Sequence, residues 1–314
     1  KLRTFLVNTM KEEKPDALVC IDYPGFNMKL IEKAKEAGIP VIYYILPTIW
    51  AWHKSRGNVI AEYTDLAVSL FPFEAEMYKK MGTNVVYGGH PLLDTVKPSM
   101  SKDEAYSFFG LQPEKKTVLF MPGSRVQEVQ SLYGKMLAAG KLLKDKVEGL
   151  QFMVPKASTI DRHMLEEAAR EANLEVHIGE ERVYDMMNIA DAAICASGTA
   201  TLETALMGVP TLLVYRVNVL TYWLSKILVH LDSIGLPNII SGHRIMPELW
   251  QDEVTPENIE AAVLPWLVDA AASEKARHLM TGVRCQMGEA GAVRRTAEII
   301  SEFVKEKQLH EAVQ

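Results

Sequence analysis

A chain of 314 residues is long enough for two domains, each with a core of its own. With 48% hydrophobic and 24% charged residues it has the make-up of a soluble globular enzyme, which excludes a disordered chain. A formal net charge of −6 gives no general attraction for nucleic acid or anionic membrane, so any phosphate-bearing ligand must be held by local arginines, lysines or helix ends. Cys20, Cys195 and Cys285 are too scattered for a disulfide framework or a zinc site, and a reducing cytoplasm is expected. No apolar run approaches the 18 or so residues of a membrane span. The chain opens at Lys1 without a methionine and reads as a fragment of something longer.

In chain order, ALVCID (17–22) reads as a strand, and NMKLIEKAKEAG (27–38) as a helix with Gly38 as its stop. PVIYYIL (40–46) and DLAVSL (65–70) read as strands, FEAEMYKKMG (73–82) as a helix and NVVYGG (84–89) as a fourth strand. Buried strands alternating with helices predict a parallel sheet covered on both faces. HPLLDTVKPSM (90–100) has neither period and carries two prolines, so it reads as a linker. Ser101-Lys-Asp-Glu104 then forms a capping box for a short helix closed at Gly110. A second alternation follows: TVLFM (117–121), a long helix from about Val126, LQFMV (150–154), a helix from about Thr159, LEVHI (174–178), AAIC (192–195) and TLLVY (211–215). From Thr255 onward the patterns are helical. The pattern predicts two doubly wound α/β domains, 1–97 and 98–314, the second including the C-terminal helices. In such sheets ligands bind beyond the carboxyl ends of the strands.

Those ends carry the informative residues. In SGTATLETALMGVP (197–210), Ser197 and Gly198 follow a strand and Thr199 opens a helix, whose free amides suit a pyrophosphate. Glu203, one turn in, is placed to accept from a ribose diol; the plainer account is a turn capped by Thr199 or Thr201 with Glu203 solvated. In FMPGSRVQEV (120–129), Gly123 and Ser124 turn the chain and Arg125 stands at the helix mouth. A cation is disfavoured there by the helix dipole, which points to an anionic partner for it. Asp22 ends the first strand, where a carboxylate can act as general base, while Asn27 is expected to cap the following helix. LPTIWAWHKSR (46–56) puts Trp50, Trp52, His53, Lys54 and Arg56 after the second strand, either with the tryptophans meeting sugar or acyl groups and the basic cluster phosphate, or with the tryptophans packing a helix on the sheet. His90 ends the fourth strand, as ligand or structural histidine. The apolar, aromatic stretch 217–238 reads as an interfacial helix or as one buried against another domain or subunit. There is no Asp-x-Asp to hold a nucleotide-sugar metal.

Taken in order, IDYPGFN, YYILPTIWAW, LFPFE, MPGSRVQEV, ASGTATLETALMGVPTLLVYR and GLPNII closely resemble the lipid-A-disaccharide synthase family over nearly the whole chain. The resemblance implies a GT-B glycosyltransferase: two Rossmann-like domains facing a cleft, the first incomplete because the family's opening α/β stretch, with its GE-x-SGD-type loop, has no match here. It implies transfer of a diacylated glucosamine from its UDP-linked donor to diacylglucosamine 1-phosphate, with release of UDP. Asp22 matches the candidate general base and Arg125 the phosphate-binding arginine. Ser124, Ser197, Gly198, Thr199 and Glu203 fall on the nucleotide-binding stretches, and Trp52, His90, Arg216 and Asn238 on the substrate side. No cofactor, metal or nucleic-acid partner is implied. Residence in the cytoplasm with peripheral contact to the inner membrane is implied, and a homodimer is left open. The competing readings are a UDP-N-acetylglucosamine 2-epimerase-like isomerase and an inactive UDP-binding fragment.

Overall fold

The computed structural model describes residues 1–50, 55–216 and 233–313 and turns the first four apolar runs into parallel strands: β1 (Leu18–Ile21), β2 (Val41–Tyr44), β3 (Leu66–Ser69) and β4 (Val85–Tyr87), in that order across one sheet. Helices α1 (Leu2–Glu13), α2 (Pro24–Glu36), α3 (Ser55–Tyr63), α4 (Pro72–Lys80) and the short α5 (Leu92–Thr95) connect and flank them. The centre of the sheet is buried because Ile42, Tyr43, Ala67 and Val68 have covered faces on both sides, as crossover topology requires. α2 starts three residues earlier than its apolar period suggests. Pro24 takes the first helical position, where its fixed φ and missing N–H do no harm.

The second unit is a six-stranded parallel sheet. Its elements in chain order are α6 (Lys102–Phe109), β5 (Thr117–Met121), α7 (Val126–Lys146), β6 (Gln151–Pro155), α8 (Arg162–Glu171), β7 (His177–Gly179), α9 (Val183–Ile189), β8 (Ala192–Ala196), α10 (Thr199–Leu206), β9 (Thr211–Tyr215), α11 (Leu236–Ser241), β10 (Glu248–Trp250), α12 (Pro256–Val268) and α13 (Ala270–Gln286). The strand order is β10-β9-β8-β5-β6-β7, so the chain fills one side of β5 and then crosses back to fill the other. The Ser101 capping box forms as expected: Ser101 Oγ accepts from Glu104 N at 3.3 Å and Ser101 N donates to Glu104 Oε2 at 2.8 Å. On α7 the buried residues Val129, Leu132, Tyr133, Met136, Leu137 and Leu143 recur at helical spacing and cover Phe120 and Phe152 of the sheet. β7 starts three residues later than its apolar run suggests and ends one later, and α9 and β10 have no counterpart in the sequence reading.

The last helix, α14 (Ala292–Val313), corrects the expected domain division, in which every C-terminal helix belonged to the second domain. Residues Met287–Gln314 group with Lys1–Thr95, and the boundary near Val96 is where the linker was expected. The cause is an apolar stripe: Ile299, Ile300, Phe303 and Val304 pack on Ile42, Leu66 and Val68 of the four-stranded sheet. Asp94 anchors the start of the helix by accepting from the amides of Gly291 and, at 3.1 Å, Val293. Helical period told of a helix but not of which sheet its apolar side would meet.

Candidate functional site

β5 and β8 are neighbours in register, Phe120 beside Ile194 and Met121 beside Cys195, and the chain leaves them toward opposite sides of the sheet. A crevice opens at such a switch point because the two connections diverge. Here it is a cavity of about 560 Å³, lined by Gly123, Ser124 and Arg125 after β5 and by Ser197, Gly198, Thr199 and Glu203 at the start of α10. Lys156 after β6 and Arg182 after β7 complete it. The volume is that of a site for a nucleotide-sized molecule.

The α10 corner offers bare amides. Gly198 is its N-cap, with φ 155° and ψ −166°, a backbone region open essentially to glycine alone. The expected threonine cap is not there. No side chain caps the helix, and Thr201 Oγ1 donates instead to the Gly198 carbonyl at 2.8 Å. A Cβ on Gly198 would have no atom within 4 Å, so the backbone, not crowding, demands glycine. First-turn N–H groups facing a cavity are an anion site in waiting.

At the α7 corner Gly123 has φ 107°, and a Cβ there would fall 2.4 Å from Glu128 Oε2. That oxygen accepts from the amides of Ser124 and Arg125, both at 3.3 Å, and Oε1 accepts from Arg125 Nη1 at 2.8 Å. The Arg125 side chain remains 81% exposed and can turn to a ligand. Its anionic partner in the chain itself is thus Glu128, which sequence reading did not single out. Glu203, on the opposite corner, is half-buried and accepts from Tyr184 Oη at 2.9 Å. Lys156 is mostly covered and lies 4.0 Å from Glu180, which also pairs with Arg162 at 3.2 Å. Lys156 and Arg182 follow strands as directly as Arg125 does, so the strand-end rule applied to β6 and β7 would have found them. Among the described residues no group of three or more His, Cys, Asp or Glu is arranged to hold a metal ion.

The other predicted residues lie elsewhere. Asp22, at the carboxyl end of β1 in the first unit, is exposed and sits in the left-handed region with φ 49°, as does Tyr23 with φ 47°. Its backbone is clamped: the carbonyl accepts from Asn27 Nδ2 at 2.7 Å and Tyr43 Oη at 2.8 Å, and the amide donates to Tyr44 O at 2.9 Å. Asn27 is therefore no helix cap. It lies inside α2 and reaches back to hold the Asp22 turn. His90 is buried against the Phe71 ring, and its Nδ1 accepts from Leu92 N at 3.1 Å. Burial pulls its pKa down to about 4, so the ring is neutral at pH 7.

Asn238 is corrected from substrate ligand to structural clamp. Its Oδ1 accepts from Ile245 N and Met246 N, both at 2.8 Å, and its Nδ2 donates to Met246 O at 2.8 Å and Glu248 Oε1 at 2.7 Å. Two donors and two acceptors exhaust a primary amide. Arg216 is exposed directly after β9 and does not line the cavity. Trp52, His53, Lys54 and the stretch 217–232 lie outside the described residues. Cys20 and Cys195 are buried in β1 and β8 as expected, and burial pushes the Cys20 thiol up to about 12.

The description lipid-A-disaccharide synthetase belongs to the family model that matches residues 1–303. The chain belongs to that family. It is 43% identical over 294 residues to the lipid-A-disaccharide synthase of Geobacter metallireducens, covering 94% of this chain and 77% of that one. With the synthase of Geobacter sulfurreducens it shares 40% over 290 residues, 92% of this chain and 76% of the relative. Membership makes it a glycosyltransferase of lipid A biosynthesis and disfavours the isomerase alternative. The fold is shared more widely. The Staphylococcus aureus MnaA–UDP complex superposes with a TM-score of 0.66 at 15% identity, covering 96% of this chain and 80% of that one. The UDP-GlcNAc 2-epimerase of Neisseria meningitidis bound to UDP-GlcNAc gives 0.64 at 13%, over the same 96% and 80%. Two such α/β sheets are the GT-B architecture expected of the family.

Proposed function

We propose that the cavity between the β5 and β8 corners holds the UDP of an acylated UDP-glucosamine, and that this chain transfers the diacylglucosamine to diacylglucosamine 1-phosphate. The observation that carries the reading is the pairing, at one switch point, of uncapped α10 amides with Arg125 and Glu203. In the scheme the acceptor's 6-hydroxyl attacks the donor's anomeric carbon with inversion. The new O6–C1 bond forms as the bond from C1 to the UDP oxygen breaks, and the hydroxyl proton passes to the Asp22 carboxylate. Gly198, Thr199 and Ser124 present backbone donors to the departing diphosphate, Ser197, whose amide is held by Val214 O, offers its hydroxyl, and Arg125 is the cation. Glu203 takes the ribose diol. Charge neutralisation is assigned to these groups, without a metal or cofactor.

Incubation with labelled acylated UDP-glucosamine and the lipid monosaccharide phosphate tests this. Disaccharide plus UDP is the expected product. A C2 epimer of the donor would sink the transferase assignment, and UDP binding without turnover would mark the chain as a binding fragment. Acylated substrates also imply peripheral contact with the inner membrane from the cytoplasm. Among the described residues no helix is long and apolar enough to cross a membrane. Co-sedimentation with anionic lipid vesicles is the measurement.

A further inference from the structure

The carboxylate assigned to the ribose is itself held from behind. Tyr184 Oη donates to Glu203 Oε1 at 2.9 Å. Glu203 lines the cavity, as does Val183, while Tyr184 stands outside the lining. Its position on α9 does not depend on any ligand. The next residue, Asp185, is 2% exposed and accepts from Ser99 N and Ser99 Oγ at 2.7 Å and from Met100 N at 2.8 Å. Met186, Met187 and Ile189 of the same helix are buried in the core beside Ala193 and Cys195 of β8, the strand that leads into α10. A fixed helix thus grips one oxygen of a carboxylate on the helix that follows it in the chain.

A glutamate side chain has three free torsions, and freezing them at the moment of binding costs affinity. Anchoring one oxygen beforehand removes that cost and leaves the other oxygen for a ligand hydroxyl. We infer that Tyr184 is a positioning residue that sets sugar specificity: it orients Glu203 toward the ribose diol, so that the cavity selects ribonucleotides over their deoxy counterparts. The inference rests on the reading of the cavity as the UDP site. A site built to hydrogen-bond a hydroxyl discriminates strongly against the analogue that lacks it, because its own polar group is then left unpaired.

The test compares UDP with 2′,3′-dideoxy-UDP by calorimetry on the full chain and on Tyr184→Phe and Glu203→Ala. Phenylalanine keeps the ring and removes only the hydroxyl. The unaltered chain should prefer UDP by about 30-fold, the size of a hydrogen bond to a charged group, and Tyr184→Phe by about threefold. Its affinity for the dideoxy compound should stay within about twofold, since that ligand never used Glu203. A merely structural Tyr184 would weaken both ligands alike and keep the ratio, which would overturn the inference. Loss of discrimination in Glu203→Ala with its retention in Tyr184→Phe would overturn the inference alone. Discrimination that survives in Glu203→Ala would overturn the ribose assignment on which it stands, and so would failure of the unaltered chain to bind UDP.

Discussion

Glu128 holds the place of an anion: one of its oxygens lies 2.8 Å from Arg125 Nη1 and the other accepts the amides of Ser124 and Arg125. A diphosphate drawn to the same donors must displace this carboxylate and then sit beside its charge. Glu128→Gln should therefore bind UDP several-fold more tightly, because the competing charge is gone while an acceptor oxygen remains. Arg125→Ala should weaken UDP at least about tenfold, the value of one charge-assisted contact. Titration calorimetry at low salt reads both. Weaker binding by Glu128→Gln would mean that the pair instead aims the guanidinium.

Gly198 calls for a different test, since nothing crowds its Cβ position. Gly198→Ala should lower stability by about 1–3 kcal/mol through backbone strain alone, and should weaken UDP by shifting the α10 amides. Gly134→Ala is the control. Gly134 lies within α7, has no positive φ and would place an added methyl with no atom within 4 Å, so the change should be neutral or stabilising by up to about 1 kcal/mol. Equal melting temperatures for the two variants would refute the strain argument.

Under the proposed reaction Asp22 serves the chemistry and not UDP binding. Asp22→Ala should cut turnover by about 10²–10⁴ while the UDP dissociation constant stays within about twofold. A parallel loss of both would assign Asp22 to binding, and near-full turnover would remove it from the reaction. Asn27→Ala, which frees the Asp22 carbonyl, should reduce turnover less than Asp22→Ala does.

Glu74 gives a pH signature of the first unit. It is 3% exposed, and burial raises its carboxyl to about 7 against the hydrogen bonds from Ser69 and the Leu70 backbone, which lower it. The folded chain therefore binds a proton that the unfolded chain releases near pH 4.5. Because the folded state holds more protons over this range, stability falls as pH rises from the unfolded pKa to the folded one. The full loss is about 3 kcal/mol, reached above pH 7. Glu74→Gln should flatten thermal stability between about pH 5 and pH 8, as read by melting curves across that range. An unchanged slope would mean that Glu74 is not the titrating group.

Much of this was legible in the chain alone. β5 and β8 appear as apolar runs ended by glycine-containing turns, and period-2 and period-3.6 patterns are local properties of the chain. Arg125 at a helix mouth, where the dipole disfavours a cation, and the glycine turn at Gly198 are the local signals on which the proposed phosphate site rests. Where the reading failed, the missing quantity was a partner. Asn27 and Asn238 have the right chemistry for cap and ligand, but their amides are spent on Asp22 and on Met246 and Glu248. His90 is set by the Phe71 ring and burial, which no local pattern encodes.

By itself the sequence determined the strand-and-helix alternation, the two glycine-bearing corners and the family, because each resides in contiguous residues. Only the tertiary structure decided that α14 packs on the first sheet, that Glu128 occupies the Arg125 corner and that Tyr184 stands behind Glu203. Those depend on which surfaces meet after the chain has crossed from β5 to β8, and strand order is a choice made among all the apolar faces together.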